Sequence, residues 1–319
     1  MYCIGVDVGK QELVTYDGVE HRTFPNDQLF DGFSSYARRR TKLLVVYEPT
    51  STYSRRLEAF CRAEKIVCCA LNPRVIPHLR QVSRKRSKTD QTDAELLYRY
   101  GIERGEAEAG LLFHDGLVHS VSAHLACYRV IQKARVTYQG LVEALKEDPA
   151  TSDGLVVELE GEIAVMKEKE AYHLTEAQSL IAEDEAASCQ LKALLTIPGI
   201  GPITAITLLV MFRKYVNANQ RQVVALAGLD PIMSQSGTSV HGKSRISKRG
   251  KSEVRKRLYE ATLSAARFNP RISTFYHRLK ERGKPEKVAR TAAARKLLLI
   301  AYAVYRSGEG FRSLNENHT

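Results

Sequence analysis

What the chain lacks narrows it first. No apolar run approaches the roughly 20 residues that a membrane-spanning helix requires. The longest, such as Leu297 to Val304, are far shorter, so a membrane protein is not expected. The N-terminus already carries Asp7 and Lys10 and has no apolar signal core, so secretion is not expected either. The six cysteines (Cys3, Cys61, Cys68, Cys69, Cys127 and Cys189) include no CxxC pair and sit mostly among apolar residues. They read as reduced core thiols of a cytosolic protein, neither a zinc site nor a disulfide frame.

What is present is an ordinary folded composition with an unusual charge layout. The 319 residues are 44% hydrophobic and 26% charged, which excludes wholesale disorder and leaves room for two modest domains. Lys and Arg number 48 against 36 Asp and Glu, a net charge of +12. Residues 231–319 hold 20 basic and 6 acidic residues, a net of +14, while residues 1–230 hold 28 and 30. The whole excess lies in the last stretch. Such segregation points to a polyanion-binding surface, with a solvated face kept for solubility as the plainer alternative.

The first hundred residues read as α/β. Tyr2 to Val8 and Leu13 to Tyr16 are short runs suited to a strand hairpin, and Leu43 to Tyr47 and Ile66 to Leu71 to buried strands. Thr52 to Cys61 has helical spacing, giving an alternating order with a mixed sheet. Asp7 falls at the end of the first strand and Glu48 just after Leu43–Tyr47, where α/β sheets bind ligands. Asp90 and Asp93, at i and i+3, share one face of a helix that opens near Lys88. Four unpaired carboxylates would repel one another, so their convergence makes sense around divalent cations, for which hard oxygen ligands suit Mg²⁺. Singly, each has a plainer role: Asp90 as an N-cap, Asp93 as a first-turn dipole partner. Asp7 could instead belong to the phosphate loop of an actin-like or sugar-kinase ATPase, but no adenosine-binding glycine-rich segment follows.

Four segments in this order resemble the DEDD transposases of insertion sequences, the family whose recombinases are guided by a bridge RNA. They are Gly5-Val6-Asp7-Val8-Gly9-Lys10, Tyr47-Glu48-Pro49-Thr50-Ser51-Thr52-Tyr53, Leu71-Asn72-Pro73 and Lys88-Thr89-Asp90-Gln91-Thr92-Asp93-Ala94. The last is the most diagnostic. The family commonly has Gly where Ser51 stands, a departure that leaves Glu48 untouched. The resemblance implies a RuvC-like domain of the RNase H superfamily over residues 1–110, with Asp7, Glu48, Asp90 and Asp93 as catalytic metal ligands. Between Arg74 and Lys88 lie six basic residues and no acidic one: Arg74, Arg80, Arg84, Lys85, Arg86 and Lys88. Such a loop suits phosphate backbone, or is simply solvated.

Residues 115–190 show helical spacing with a break over 148–154, predicting an antiparallel helical hairpin. Residues 140–190 carry 13 acidic and 3 basic residues. We read residues 111–190 as a coiled-coil-like arm, for dimerisation or spacing, that stands clear of nucleic acid. Residues 191–319 read as a mainly α basic domain. Thr196 to Ala205 has the form of a helix–hairpin–helix turn, serving either phosphate or tight packing. Ala227-Gly228-Leu229-Asp230-Pro231 leads into an exposed loop over 232–245, then Ile246-Ser247-Lys248-Arg249-Gly250 and Arg255. Lys243, Arg245, Lys248, Arg249, Lys251 and Arg255 are candidate nucleic-acid contacts. Arg278 to Pro285 reads as a basic loop, and Tyr259, Phe268, Phe275 and Tyr276, which could stack on bases, read at their helical spacing as core.

The GLDP…QSG…ISKRG…R block resembles the C-terminal signature of the same transposases. There the serine before glycine is the nucleophile, which is Ser236 here; Ser234 and Ser239 lie close by, and Asp230 and His241 are the nearest possible bases. The resemblance covers roughly residues 3–306 and implies a recombinase that cleaves and rejoins donor and target DNA through a serine–DNA bond. It further implies a bridge RNA, Mg²⁺, a homodimer assembling into a tetramer with composite sites, and a bacterial, nucleoid-associated setting.

Overall fold

The computed structural model describes residues 1–49, 52–71, 75–82, 89–105, 110–111, 116–232, 235–236, 240–241 and 245–312. Arg74, Arg84, Lys85, Arg86, Lys88, Lys243, Ser234 and Ser239 lie outside them. The chain divides into two compact units, residues 1–114 and 115–319.

The first unit is built on β1 (Tyr2–Val8), β2 (Glu12–Tyr16), β3 (His21–Pro25), β4 (Leu43–Tyr47), β5 (Val67–Ala70) and β6 (Gly110–Leu111). Their order in the sheet is β3-β2-β1-β4-β5-β6. The β1–β4 and β4–β5 pairs are parallel, and the outer pairs antiparallel. Both faces are covered, and the period-two alternation along each strand decides which side chain serves which face. Ile4, Val6 and Val8 pack with Phe33, Val45, Leu57 and Cys61 on one side, beneath α1 (Asp31–Arg38) and α2 (Arg55–Ala63). Cys3, Leu44, Val46 and Cys69 pack with Ile76, Leu97 and Tyr100 on the other, beneath α3 (Val75–Val82) and α4 (Asp90–Tyr100). The expected α/β order is present. Strand β3 is an addition, because the half-exposed His21–Pro25 has no apolar run to announce it, and helix α3 occupies part of the stretch expected as a basic loop.

A buried Asp17 ties the β2–β3 turn to α1. Its carboxylate accepts from the Tyr2 and Tyr36 hydroxyls, both at 2.8 Å, and from the Val19 and Glu20 amides at 3.1 Å. Burial alone would raise its pKa; the Tyr36, Tyr2 and Val19 hydrogen bonds and the Arg22 charge together outweigh it and hold Asp17 below the ordinary value.

The second unit opens with the antiparallel pair α5 (Gly116–Lys146) and α6 (Asp153–Ala182), as the 148–154 break predicts. At 31 and 30 residues each spans about 45 Å. An Arg135–Glu170 ion pair at 2.5 Å crosses the two helices. Then come α7 (Glu185–Leu195), α8 (Pro202–Lys214), α9 (Gln220–Leu226), four two-residue strands, and α10 (Ser252–Phe268), α11 (Pro270–Glu281) and α12 (Glu286–Ser307). Val121, Ala177 and Ile181 of the hairpin share a core with Leu194, Ile206, Phe212, Leu258 and Leu297. The nearly buried Arg257 of α10 donates to Gln132 of α5 at 2.7 Å and to Glu253 at the same distance, fastening hairpin to bundle.

Three expectations need correction. Arg278–Glu281 is the last turn of α11, not loop. Phe268 is 69% exposed and Tyr259, Phe275 and Tyr276 are only partly buried, so none of the four is core. Cys127 and Cys189 are exposed; the other four cysteines are buried, and all six are free. No helix among the described residues is long and apolar enough to cross a membrane.

Candidate active site

Strand register and two glycines bring the acidic residues to one end of the first unit. In the parallel β1–β4 ladder Val6 faces Tyr47, so Asp7, still in β1, and Glu48, just past the end of β4, are the next residues along the two neighbouring segments. Helix α4 lies across β1 in the opposite sense. A Cβ on Gly5 would come within 2.1 Å of the Ala94 carbonyl and 2.4 Å of the Tyr98 amide. One on Gly101 would meet Cys3 Sγ at 2.5 Å. Only bare backbone permits this approach. With the helix C-terminus over the start of β1, its first turn, carrying Asp90 and Asp93, reaches the Asp7 end.

The cap of α4 removes the plainer role for Asp90. Thr89 is the N-cap: its Oγ1 accepts from the Thr92 amide at 3.2 Å, and Thr92 Oγ1 accepts from the Thr89 amide at 3.0 Å. This reciprocal box satisfies the helix end without a carboxylate. Asp90 is exposed and Asp93 buried.

Electrostatics show that the four acids share one neighbourhood. Asp7 is pushed up from 3.8 to about 7, first by burial and then by the charges of Asp90, Asp93 and Glu48; only a hydrogen bond from the Val8 amide opposes this. They do not close into a ligand shell: among the described residues no three acidic, imidazole or thiol groups stand close enough to hold one ion. One reason is Arg80 of α3. Its Nε donates to Asp93 Oδ1 at 2.9 Å and its Nη2 to Oδ2, a bidentate fork that engages both carboxylate oxygens. Arg80, read as a nucleic-acid contact, here faces an acid of the cluster. Within the Arg74–Lys88 run nothing in the sequence distinguishes it.

In the second unit the GLDP and ISKRG segments lock together. β7 (Pro231–Ile232) pairs with β10 (Arg245–Ile246), and β8 (Gln235–Ser236) with β9 (Val240–His241). Ser236 is thus placed by its backbone alone, opposite Val240. Asp230 accepts a hydrogen bond from the Ser247 hydroxyl, so the aspartate named as a possible base is already engaged in joining the two segments. The Ser247 amide donates to the Asp230 carbonyl at 2.9 Å and the Lys251 amide to the Leu226 carbonyl at 2.7 Å. Gly250 is obligatory: a Cβ would sit 2.2 Å from Leu226 O.

This frame leaves Arg245, Lys248, Arg249 and Lys251 exposed and Arg255 partly buried, its Nη1 donating to the Ala227 carbonyl at 3.0 Å. Burial of its amino group and the charge of Lys214 push Lys251 down to about 8, although the residue as a whole is exposed. Lys214 was not a candidate; it lies far upstream, and only the fold brings it near. The turn at Thr196–Gly201 serves packing at Gly199 (φ +95°), where a Cβ would meet Ala265 at 2.6 Å.

Both halves match transposase family models. Residues 4–109 match the model of DEDD transposases of IS110 elements, described as "Transposase". Residues 191–277 match the one described as "Transposase IS116/IS110/IS902 family". The chain belongs to the IS110 family of DEDD transposases. It is an enzyme of DNA transposition and recombination. This transposase is 27% identical to the pilin gene-inverting proteins of Moraxella lacunata and of Moraxella bovis, over 97% of each chain. It is 28% identical to an uncharacterized 43.6 kDa protein of insertion element IS110 from Streptomyces coelicolor, over 43% of this chain and 37% of that one. The family suggests dependence on a divalent metal. The first model spans all four candidate carboxylates and the second spans Ser236.

Proposed function

We propose that this transposase is a site-specific recombinase that cuts and rejoins donor and target DNA through a covalent bond to Ser236. What supports the metal-dependent part of the reading is the parallel register that sets Asp7 and Glu48 side by side, with the charges of Asp90, Asp93 and Glu48 adding to burial in raising Asp7. Such an all-oxygen set fits a hard divalent cation such as Mg²⁺. Asp7, Glu48, Asp90 and Asp93 are the residues that would hold it, with Arg80 partnering Asp93 in its absence. When bound, the ion supplies positive charge for phosphate oxygens.

The Ser236 oxygen attacks phosphorus, the bond from phosphorus to the 3′ oxygen breaks, and the departing oxygen takes a proton to become a free 3′-hydroxyl. The 5′ phosphate stays on the serine. A 3′-hydroxyl from a partner strand reverses the step, so bond energy is conserved without ATP. The full-length likeness to proteins named for inverting a pilin gene supports strand exchange rather than simple cutting.

The exposed Arg245, Lys248, Arg249 and Lys251 would grip backbone, while a structured noncoding RNA supplies sequence by base pairing. The hairpin α5–α6, with Val130, Leu141, Val157 and Tyr172 exposed along it, would join two copies, and two dimers a tetramer.

The test is a covalent trap. Labelled DNA incubated with protein, RNA and Mg²⁺ should give a denaturant-resistant adduct, lost in Ser236→Ala and in Glu48→Ala. An adduct retained by Ser236→Ala would move the nucleophile to another serine. Hydrolysed 5′-phosphate ends without any adduct would instead make the protein a metal-dependent junction nuclease using activated water.

A further inference from the structure

Among residues given no functional role so far, three cations stand together with no acid among them. On α11, Arg271, Phe275 and Arg278 recur at i, i+4 and i+7, one face of the helix. Helix α12 packs beside it and brings Lys296 to the same ring: the Lys296 ammonium lies 4.6 Å from the Phe275 centroid and the Arg278 guanidinium 5.7 Å from it. Arg271 lies 5.5 Å from the centre of the Phe311 ring, and its buried Nε has no hydrogen-bond partner. None of the three cations has an ion-pair partner among the described residues. Glu286 and Glu309 are taken by Arg290 and Arg312, at 2.9 and 3.0 Å. Burial, and the charges of Arg278 and Arg271, hold Lys296 below its ordinary pKa.

Holding like charges together is unfavourable unless an anion completes the group. The aromatic rings orient the cations and leave N–H groups for an outside acceptor. From Arg271 to Arg278 the helix rises about 10 Å, room for more than one phosphate. Lys280, Arg282 and Lys284, which follow in the chain, are exposed. We propose that Arg271, Arg278 and Lys296 form a second nucleic-acid backbone site, distinct in sequence from the 245–255 segment, that takes phosphodiester groups of the bound strands. The assignment rests on the reading of the chain as a nucleic-acid recombinase.

The test uses full-length protein and measures anisotropy of labelled duplex DNA, single-stranded DNA and single-stranded RNA across a salt series. Arg271→Gln/Arg278→Gln/Lys296→Gln should weaken binding to at least one probe without regard to sequence. The slope of log affinity against log salt for that probe should become shallower by about 2 to 3. The probe affected identifies which strand lies there. Arg278→Gln alone should change the slope by about 1, which keeps the test open should the triple variant fold poorly. Unchanged slopes on every probe overturn the site. Unchanged slopes with a lower oligomeric mass assign the face instead to an acidic helix of a second copy. A parent protein that binds none of the probes overturns both this site and the recombinase reading.

Discussion

Two buried or half-buried aspartates in the first unit carry opposite shifts, and the contrast separates structural from functional acids. Asp17 is surrounded by hydroxyl, amide and guanidinium donors, so its folded pKa is lowered. Its stabilisation is complete above the unfolded value near 4 and is lost as pH falls through the lower folded value. Asp7 is surrounded by carboxylates and raised to about 7. In the metal-free protein it therefore destabilises the fold: nothing is lost below the unfolded value, the penalty grows as pH rises towards 7, and it is complete above. Asp7→Asn should raise the melting temperature at pH 8 by a few degrees, the gain shrinking on acidification and vanishing near pH 4. Asp17→Asn should lower it at neutral pH. Added Mg²⁺ should stabilise the wild type but not Asp7→Asn, reversing their order at pH 8. Thermal melts at several pH values, with and without Mg²⁺, read all three effects. An Asp7→Asn protein less stable than wild type at pH 8 without metal would remove the case for a repelling cluster.

At the scale of elements, the cluster depends on how closely α4 lies on β1. Gly5→Ala forces a methyl into the Ala94 carbonyl, and the helix must move away from the strand. Overpacking of this kind costs about 1–3 kcal/mol. The sharper consequence is chemical, because Asp90 and Asp93 move with the helix: Gly5→Ala should lose adduct formation even at temperatures where it remains folded. Thr89→Ala removes one cap bond, at about 1 kcal/mol, and should leave the chemistry in place. A Gly5→Ala protein that is folded and fully active would show that the helix can shift without taking the acids out of reach. Much of this arrangement was legible in sequence. Asp7 lies near the end of a mostly apolar run and Glu48 directly after a continuous one, and the i, i+3 pair of aspartates opens a periodic helix. Strand β3 was not legible, because an edge strand with half-exposed residues needs no apolar run. The start of α11 is legible: Asn269 before Pro270 is a cap followed by a first-turn proline, and the Asn269 side chain accepts from the Ile272 amide at 3.3 Å. The Arg80–Asp93 fork could not be read at all, since it depends on how α3 meets α4.

For the whole molecule, charge placement makes a quantitative claim about where nucleic acid is held. Half of the acidic excess over 140–190 falls on α6 and the rest on Glu147, Asp148, Glu183, Asp184 and Glu185 beyond the ends of the hairpin helices, while the basic excess after residue 231 falls on the second unit's loop and last three helices. Arg255 is a poor probe of that surface, because its guanidinium bonds the Ala227 carbonyl and packs against Gly228. Lys248 and Arg249 are better, being exposed; Lys248 has φ +54°, so asparagine, which tolerates that conformation, is the replacement of choice. Lys248→Asn/Arg249→Gln should reduce the salt slope by about 2. If the Arg271–Arg278–Lys296 face is a separate contact, combining the two sets should lower the slope by the sum of their separate effects, as independent sites require. Replacing Glu158, Glu162 and Glu168 of α6 by glutamine should leave the slope nearly unchanged, because charges well beyond a Debye length of about 8 Å from the nucleic acid are screened. A steeper slope in that variant would mean that the acidic hairpin lies against the strands, and the division of the chain into gripping and non-gripping surfaces would have to be redrawn.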